Sequence, residues 1–300
     1  MDKSFLTKLA ALDTVYSENV PMKDYTTFKT GGNADIMIFP ESISALQSVT
    51  KLCVYGNIPY FVLGRGSNLL VGDGGIRQPV INTERLTNLT VCDDEIVCGA
   101  GVPLLKLCNF AKDNSLSGLE FAFGIPGSTG GAFYMNAGAY GGEIADVAKS
   151  AVCVDKNGDI VEIALKNMCF GYRTSVFKTK ALTICEVRLK LRHGVKEEIE
   201  ERMNGFFARR KEKQPLEYPS AGSTFKRPSG YFAGALIEKN GLKGTGIGGA
   251  EVSRKHAGFI INKGNATSKD IKALIEKVSK TVLENDGVEL EPEVVFIGEA

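Results

Sequence analysis

The sequence predicts an α+β protein of three modules, and three observations carry that prediction. Helix-period segments alternate with short apolar runs in roughly the first 114 residues. Turn-punctuated strand patterns follow to about residue 191, and charged helical segments surround one further apolar run after about residue 204. The expected boundaries are 1–81 and 82–204 for two modules built around glycine-rich loops, and 205–293 for a third. Residues 294–300 are expected to return to the first module as a strand.

Residues 5–18 read as a short helix. Residues 34–39 read as a strand ended by Pro40, and Thr26 and Thr27 ahead of it read as strand residues rather than ligands. From Ser42 the apolar residues Leu46, Val49 and Cys53 recur at helical spacing until Gly56 and Asn57 close the helix. The strand at 60–63 then completes one βαβ unit. Residues 76–102 alternate strands and turns, and Pro103 suits the first position of a helix to about Asn114, with Leu104, Leu105, Cys108 and Ala111 inward. Two apolar runs flank Lys156-Asn157-Gly158-Asp159 as a hairpin, and another strand spans 182–191.

His193-Gly194 marks a boundary before a highly charged helix over 196–213, whose buried side is Ile199, Met203 and Phe206 or Phe207. A later helix ends at Asn240-Gly241, a strand occupies 257–262, and a long helix runs from about 268 to 286 before Gly287. Ile271, Leu274, Ile275, Val278 and Val282 share one side of it.

Lys and Arg total 36 against 35 Asp and Glu in 300 residues, so no broad field is available to capture nucleic acid or an anionic membrane. Anion binding must be local. No apolar run reaches the length of a membrane span, and Met1-Asp2-Lys3-Ser4-Phe5 has no apolar leader core. Seven cysteines, an odd number, form no C-x-x-C pair, and most lie in apolar runs; buried reduced thiols and a cytoplasmic location are expected. With only His193 and His256 no metal site is expected, and His256 is read as structural.

Residues 118–142 hold Gly124, Gly127, Gly130, Gly131, Gly138, Gly141 and Gly142 among small and apolar residues. A glycine run lets main-chain N–H groups approach a planar or anionic ligand, although tight packing without a ligand explains such a run equally well. A second loop, Gly64-Arg65-Gly66-Ser67-Asn68, closes the strand at 60–63. It runs into Leu69-Leu70-Val71-Gly72, which cannot open a helix, so a Rossmann phosphate site is excluded. Two loops suggest two walls of one site for a phosphate-bearing cofactor. Arg173, Ser223 and Glu293 are the polar candidates at glycine- or proline-punctuated positions. Each has an ordinary reading as well: a surface ion pair for Arg173, a turn cap for Ser223, an exposed strand residue for Glu293.

Gly124-Ile125-Pro126-Gly127-Ser128, Gly130-Gly131-Ala132 and Met135-Asn136-Ala137-Gly138-Ala139-Tyr140-Gly141 resemble the signature of UDP-N-acetylenolpyruvylglucosamine reductases. The Gly64 loop, Tyr172-Arg173-Thr174-Ser175-Val176-Phe177, Ala221-Gly222-Ser223-Thr224-Phe225-Lys226 and Glu293-Val294 match that family in order. The resemblance implies a two-module FAD-binding region of the vanillyl-alcohol-oxidase/PCMH type plus a substrate domain. It places FAD against Gly64, Arg65, Gly66, Ser67, Asn68 and Leu69, and against Pro126, Gly127, Ser128, Gly130, Gly131, Asn136, Ala137 and Gly138.

It further implies NADPH as co-substrate, UDP-N-acetylglucosamine enolpyruvate as substrate, and a monomeric enzyme of peptidoglycan precursor synthesis that serves cell shape and division. In that family the proton donor falls on Ser223, and the active-site arginine and glutamate on Arg173 and Glu293. Those types suit the chemistry: an enolate beside a carboxylate concentrates negative charge, which a fixed guanidinium and a protonated carboxyl stabilise. A serine hydroxyl is a poor acid that needs a neighbouring donor or cation, with Lys226 a candidate. Lys226, Arg227, Tyr231 and Lys239 are the expected substrate contacts. The quick passage from Phe177 to Ala181 marks the shorter form of the family, without a tyrosine lid, and Val295 adds no charge contact. Two other readings remain open at this point, an oxidase of the same cofactor fold and a non-catalytic sensor of UDP-sugars.

Overall fold

The helical spacing that begins at Ser42 forms the helix Ile43–Tyr55, and the Ser42 side chain accepts the Ala45 N–H at 3.1 Å in its first turn. These and the following details come from a computed structural model that describes residues 3–300. Met1 and Asp2, part of the segment read as lacking a leader, lie outside the described residues. The chain divides into two units: Met1–Ser17, Met37–Arg65 and Gln78–Arg209 in the first, and Glu18–Ile36, Gly66–Arg77 and Arg210–Ala300 in the second.

In the first unit, Met37 and Ile38 pair in parallel with Val80 and Ile81, whose other side takes the strand Phe61–Leu63, also in parallel. With the helix Ile43–Tyr55 between them in sequence, Asn33–Phe39 and Phe61–Leu63 make the βαβ unit, and the strand Val80–Asn82 lies between the two in the sheet. A separate antiparallel sheet has the order Ile160–Ala164, Ala148–Val154, Thr183–Lys190, Glu95–Gly99, Leu89–Cys92. Its hairpin turns at Lys156–Asp159, where the Asp155 carboxylate accepts the N–H groups of Asn157 and Asp159 at 2.9 and 2.8 Å. The helix Leu104–Asp113 buries Leu104, Leu107, Cys108 and Ala111, leaving Leu105 exposed. Glu120 is buried and takes the Arg202 guanidinium at 2.8 Å, the Ser117 hydroxyl at 2.8 Å and the Gly118 N–H at 2.8 Å.

The second unit is built on the helix Ser268–Asp286. Thr267 and Asp270 form a capping box at its start, and Gly287, at φ 68°, ends it in the left-handed conformation. Ile271, Leu274, Ile275, Val278 and Val282 bury one side among Phe28, Leu70, Phe225, Leu236 and Ile237. Burial of each such side chain contributes about 1.5–3 kcal/mol. The three-stranded sheet Gly246–Ile247, Ala250–Val252, Ile260–Asn262 accompanies it, and Val295–Ile297 lies parallel to Leu69–Val71.

Four local expectations are corrected. The first helix, Lys3–Ala10, stops well short of residue 18; Asp13 turns the chain at φ 49°, and Thr14-Val15-Tyr16 leads into the strand Val15–Pro21, because β-branched and aromatic residues suit a pleated surface better than a helix. Thr26 and Thr27 lie in a turn, not a strand, since the Thr26 carbonyl accepts the Lys29 N–H at 3.3 Å. The strand expected over 257–262 begins only at Ile260, and two short strands pair ahead of it. Leu105, expected inward, is exposed, and Leu107 takes the buried position because it lies on the same side as Leu104, Cys108 and Ala111. The glycine-rich stretch holds the helix Thr129–Met135.

Cys53, Cys98, Cys108, Cys153 and Cys185 are buried, while Cys92 and Cys169 are exposed. Burial pushes the Cys53, Cys98, Cys108 and Cys185 thiols up to about 12. Among the described residues no helix is long and apolar enough to cross a membrane, and no group of His, Cys, Asp and Glu could hold a metal ion.

Candidate active site

The first unit joins one arm of the Gly64 loop to the second glycine stretch. A Cβ at Gly64 would lie 2.6 Å from Ser128 Oγ, so glycine is what permits the approach. Ser128 is buried and caps the helix Thr129–Met135, its Oγ accepting the Gly131 N–H at 3.3 Å. The Thr129 N–H donates to the Val102 carbonyl and the Gly130 N–H to the Ala100 carbonyl, each at 2.9 Å. The first three amides of that helix therefore already have acceptors. Gly130 serves packing: a Cβ there would lie 2.8 Å from Ala100 Cβ. The amides that meet no backbone acceptor among the described residues are those of Gly127 and Ser128, one step earlier. Gly131 and Pro126 are exposed, and Ala137 and Gly138 half-buried.

The helix ends at Asn136 in the left-handed conformation, φ 44° and ψ 58°. Its buried amide group donates to the Gly171 carbonyl at 3.1 Å and accepts the Ala145 N–H at 3.0 Å. The Ser175 hydroxyl donates to the Tyr134 carbonyl at 2.7 Å. These bonds fix the segment that carries Arg173. Arg173 itself sits at φ 55°, a costly conformation for a residue with a Cβ and one typically held by its surroundings. Its guanidinium donates to the Gly138 carbonyl at 3.2 Å and lies 5.1 Å from the Tyr172 ring centre. The first unit thus brings Arg173 onto the second glycine stretch.

The second unit brings together the other arm of the first loop and the two remaining motifs. A Cβ at Gly66 would lie 2.1 Å from the Tyr25 carbonyl oxygen, and Gly66 takes φ 58°. The amides of Gly66 and Ser67 meet no backbone acceptor among the described residues. Asn68 Nδ2 donates to the Glu293 carbonyl at 3.0 Å, while the Asn68 carbonyl accepts the Val295 N–H at 2.9 Å and Leu69 pairs with Val295. The Ser223 segment lies antiparallel to this one. Phe225 is opposite Pro292, the Glu293 N–H donates to the Thr224 carbonyl at 2.8 Å, and the Lys226 N–H donates to the Glu291 carbonyl at 2.8 Å.

Thr224 is anchored in turn, donating its N–H to the Gly258 carbonyl at 2.8 Å and accepting the Ile260 N–H on its hydroxyl at 3.0 Å. His256 steadies that loop by accepting the Gly258 N–H at 3.1 Å, and burial lowers its pKa. Ser223 is exposed beside Gly222, which turns the chain at φ 75°, and Glu293 is half-buried. Buried Phe225 and Val294 pin the two segments that carry Ser223 and Glu293.

The expected substrate contacts differ among themselves. Lys226 Nζ pairs with the Glu291 carboxylate. Lys239 pairs with Asp286 at 2.5 Å, and that hydrogen bond raises the pKa of Lys239 and lowers that of Asp286. The Arg227 guanidinium stacks 4.0 Å from the Phe232 ring centre, and Tyr231 is exposed. Lys226 and Lys239 each already carry a carboxylate partner, which offsets part of the charge they can offer a substrate phosphate or carboxylate. One residue escaped the reading of the sequence: Thr27, taken for a strand residue, carries a buried Oγ1 with no hydrogen-bond partner, next to Gly66.

Residues 34–164 match the family described as an FAD binding domain, and residues 214–297 match the UDP-N-acetylenolpyruvoylglucosamine reductase, C-terminal domain. A UDP-N-acetylenolpyruvoylglucosamine reductase of Clostridium tetani is 51% identical over 301 residues, covering 99% of this chain and 97% of the relative. One from Clostridium novyi is 50% identical over 281 residues, covering 94% and 92%. Among solved structures, the UDP-N-acetylenolpyruvylglucosamine reductase of Thermus caldophilus aligns with a TM-score of 0.81 at 37% identity, over 94% of this chain and 98% of that one. A glucose dehydrogenase, Phl p 4.0202, aligns with a TM-score of 0.50 at 15% identity over 65% and 45%, a likeness of fold alone.

Proposed function

Because this chain belongs to the UDP-N-acetylenolpyruvoylglucosamine reductase family, we propose that Ser223, Arg173 and Glu293 carry its chemistry. The protein is a flavin-dependent oxidoreductase. It uses FAD and NADPH to reduce UDP-N-acetylglucosamine enolpyruvate to UDP-N-acetylmuramate in peptidoglycan precursor synthesis. The observation that carries the residue assignment is the antiparallel pairing of the Ser223 and Glu293 segments, with Asn68 of the first glycine loop bonded to the Glu293 carbonyl.

The chain's donor set fits the cofactor. In the second unit the amides of Gly66 and Ser67, and in the first those of Gly127 and Ser128, meet no backbone acceptor among the described residues, and each pair by itself suits a phosphate oxygen of FAD. The crowding at Gly64 and Gly130 is packing against Ser128 and Ala100, which fixes the segment that carries the Gly127 and Ser128 amides. Asn136, Ala137 and Gly138 complete that wall, with the Asn136 side chain acting through the Gly171 and Ala145 main chain. Bound FAD supplies hydride transfer, recharged by NADPH.

Ser223 gives a proton to the substrate carbon that bears the carboxylate, after hydride has reached the terminal carbon of the enol ether. Its exposure beside Gly222 gives the hydroxyl access to substrate. The Arg173 guanidinium stabilises the negative charge that develops on the substrate carboxylate and enolate, and its hydrogen bond to the Gly138 carbonyl positions it before the reaction. Glu293 adds a hydrogen bond to the same charge. Lys226, Arg227, Tyr231 and Lys239 contact the substrate's diphosphate or carboxylate, Lys226 and Lys239 with part of their charge offset by their carboxylate partners.

The functional division into 1–81, 82–204 and 205–293 belongs to this reading, as do a monomeric state, a cytoplasmic location, no nucleic-acid partner and a role in cell shape and division. Five buried reduced cysteines support a reducing compartment. The test is anaerobic spectroscopy. A flavin spectrum that bleaches with NADPH and returns only with the enolpyruvate supports the reductase; return with oxygen alone would point to an oxidase, and binding of UDP-sugar without flavin to a sensor.

A further inference from the structure

The turn at residues 25–30 lies in the second unit, and several of its polar groups are bonded there. The Thr26 hydroxyl donates to the Thr30 carbonyl at 3.3 Å, the Thr30 hydroxyl to the Ala266 carbonyl at 2.8 Å, and Asn262 Nδ2 to the Phe28 carbonyl at 3.0 Å. The Thr27 N–H donates to the Gly66 carbonyl at 3.3 Å. Thr27 Oγ1 alone in that group is buried without a partner. Thr50 Oγ1 shares this state, but it lies inside the helix Ile43–Tyr55, where rotation toward the carbonyl four residues back is the ordinary remedy. A buried hydroxyl without a partner destabilises the fold unless something else supplies the acceptor.

The neighbouring groups indicate what that acceptor is. Gly66 is pressed onto the turn so closely that a Cβ would lie 2.1 Å from the Tyr25 carbonyl oxygen. The adjacent Gly66 and Ser67 amides are donors without a backbone acceptor among the described residues. A hydroxyl on the turn that bonds Gly66, together with the Gly66 and Ser67 N–H groups, suits an anion with several oxygens, not a flat apolar ring. We infer that Thr27 is a further cofactor-binding residue, whose hydroxyl donates to a diphosphate oxygen of FAD beside the Gly66 and Ser67 amides. The inference rests on the reading of the Gly64–Leu69 loop as part of the FAD site.

The experiment titrates FAD into the flavin-stripped full chain, following flavin fluorescence, for the wild type, Thr27→Val and Thr27→Ser, with the melting temperature of each apoprotein alongside. Valine keeps the shape and removes the hydroxyl. Loss of a hydrogen bond to a charged group weakens FAD binding about tenfold to a hundredfold in Thr27→Val. Thr27→Ser keeps the wild-type Kd within about threefold, since the donor remains. The Thr27→Val apoprotein melts at or above the wild-type temperature, because a buried unpartnered group has been removed. Equal FAD affinity in the wild type and Thr27→Val overturns the assignment, as does a Thr27→Val apoprotein that melts lower while its FAD affinity is unchanged. If the wild type itself takes up no FAD, the reading of the loop falls and the role of Thr27 with it.

Discussion

Replacing Gly64 by alanine tests the contact that joins the two glycine loops within the first unit. The new Cβ would lie 2.6 Å from Ser128 Oγ, about 0.8 Å inside the 3.4 Å at which ordinary contact begins. Ser128 is 1% exposed, so its hydroxyl cannot swing into solvent. Either Oγ abandons the Gly131 N–H or the backbone around Gly64 shifts. The first route removes a helix cap, about 1 kcal/mol, and the second is an overpacking, about 1–3 kcal/mol. Gly64→Ala is therefore expected to cost about 2 kcal/mol, and Ser128→Ala about 1 kcal/mol for the lost cap.

In the double variant the oxygen that clashes is gone, and the nearest atom is Ser128 Cβ at 3.8 Å, an ordinary contact. The pair should then cost little more than Ser128→Ala alone, a coupling of about 2 kcal/mol in favour of the double variant. Urea unfolding of the four apoproteins measures the cycle, read from midpoints at constant slope. Additivity to within about 0.5 kcal/mol would refute the contact as the reason for glycine at position 64.

Three further outcomes follow from the same geometry. Ser223→Ala should let NADPH bleach the flavin at the normal rate yet form no UDP-N-acetylmuramate; normal turnover would remove Ser223 from the mechanism. For Glu120, burial would raise the pKa, but the Arg202 guanidinium, the Ser117 hydroxyl and the Gly118 N–H together hold it below its ordinary value. Its stabilising contribution is thus complete above the unfolded value near 4.3 and is lost as pH falls through the lower folded value. Glu120→Gln should cost about 2 kcal/mol at pH 7, with the gap to the wild type closing in acid; a gap that persists at pH 2 would contradict this. Thiol titration of the native protein at neutral pH should find two reactive cysteines, Cys92 and Cys169, and all seven only after denaturation.

Much of the molecule was legible because its causes are local. The helix Ser268–Asp286 is written in its own residues: Thr267 and Asp270 start it, Gly287 ends it, and the apolar spacing between them states which side is buried. The motifs that carry Ser223, Arg173 and Glu293 are likewise short, and their order along the chain was enough to indicate the family and the chemistry. The strand Val15–Pro21 was misread because a few residues of weak pattern can join either a helix or a sheet, and pairing elsewhere decides which.

What only the tertiary structure decided concerns pairs distant in the chain. Gly64 and Gly130 read as places where a ligand approaches, yet their near neighbours are Ser128 and Ala100, and the Gly130 and Gly131 amides already have acceptors. Thr27 reads as an ordinary strand residue, yet its turn lies against Gly66 with its hydroxyl buried and without a partner. Composition and spacing report which groups a segment can offer. Whether a donor is left over for a ligand depends on every acceptor that folding brings within about 3 Å of it, and that is a property of the packed chain.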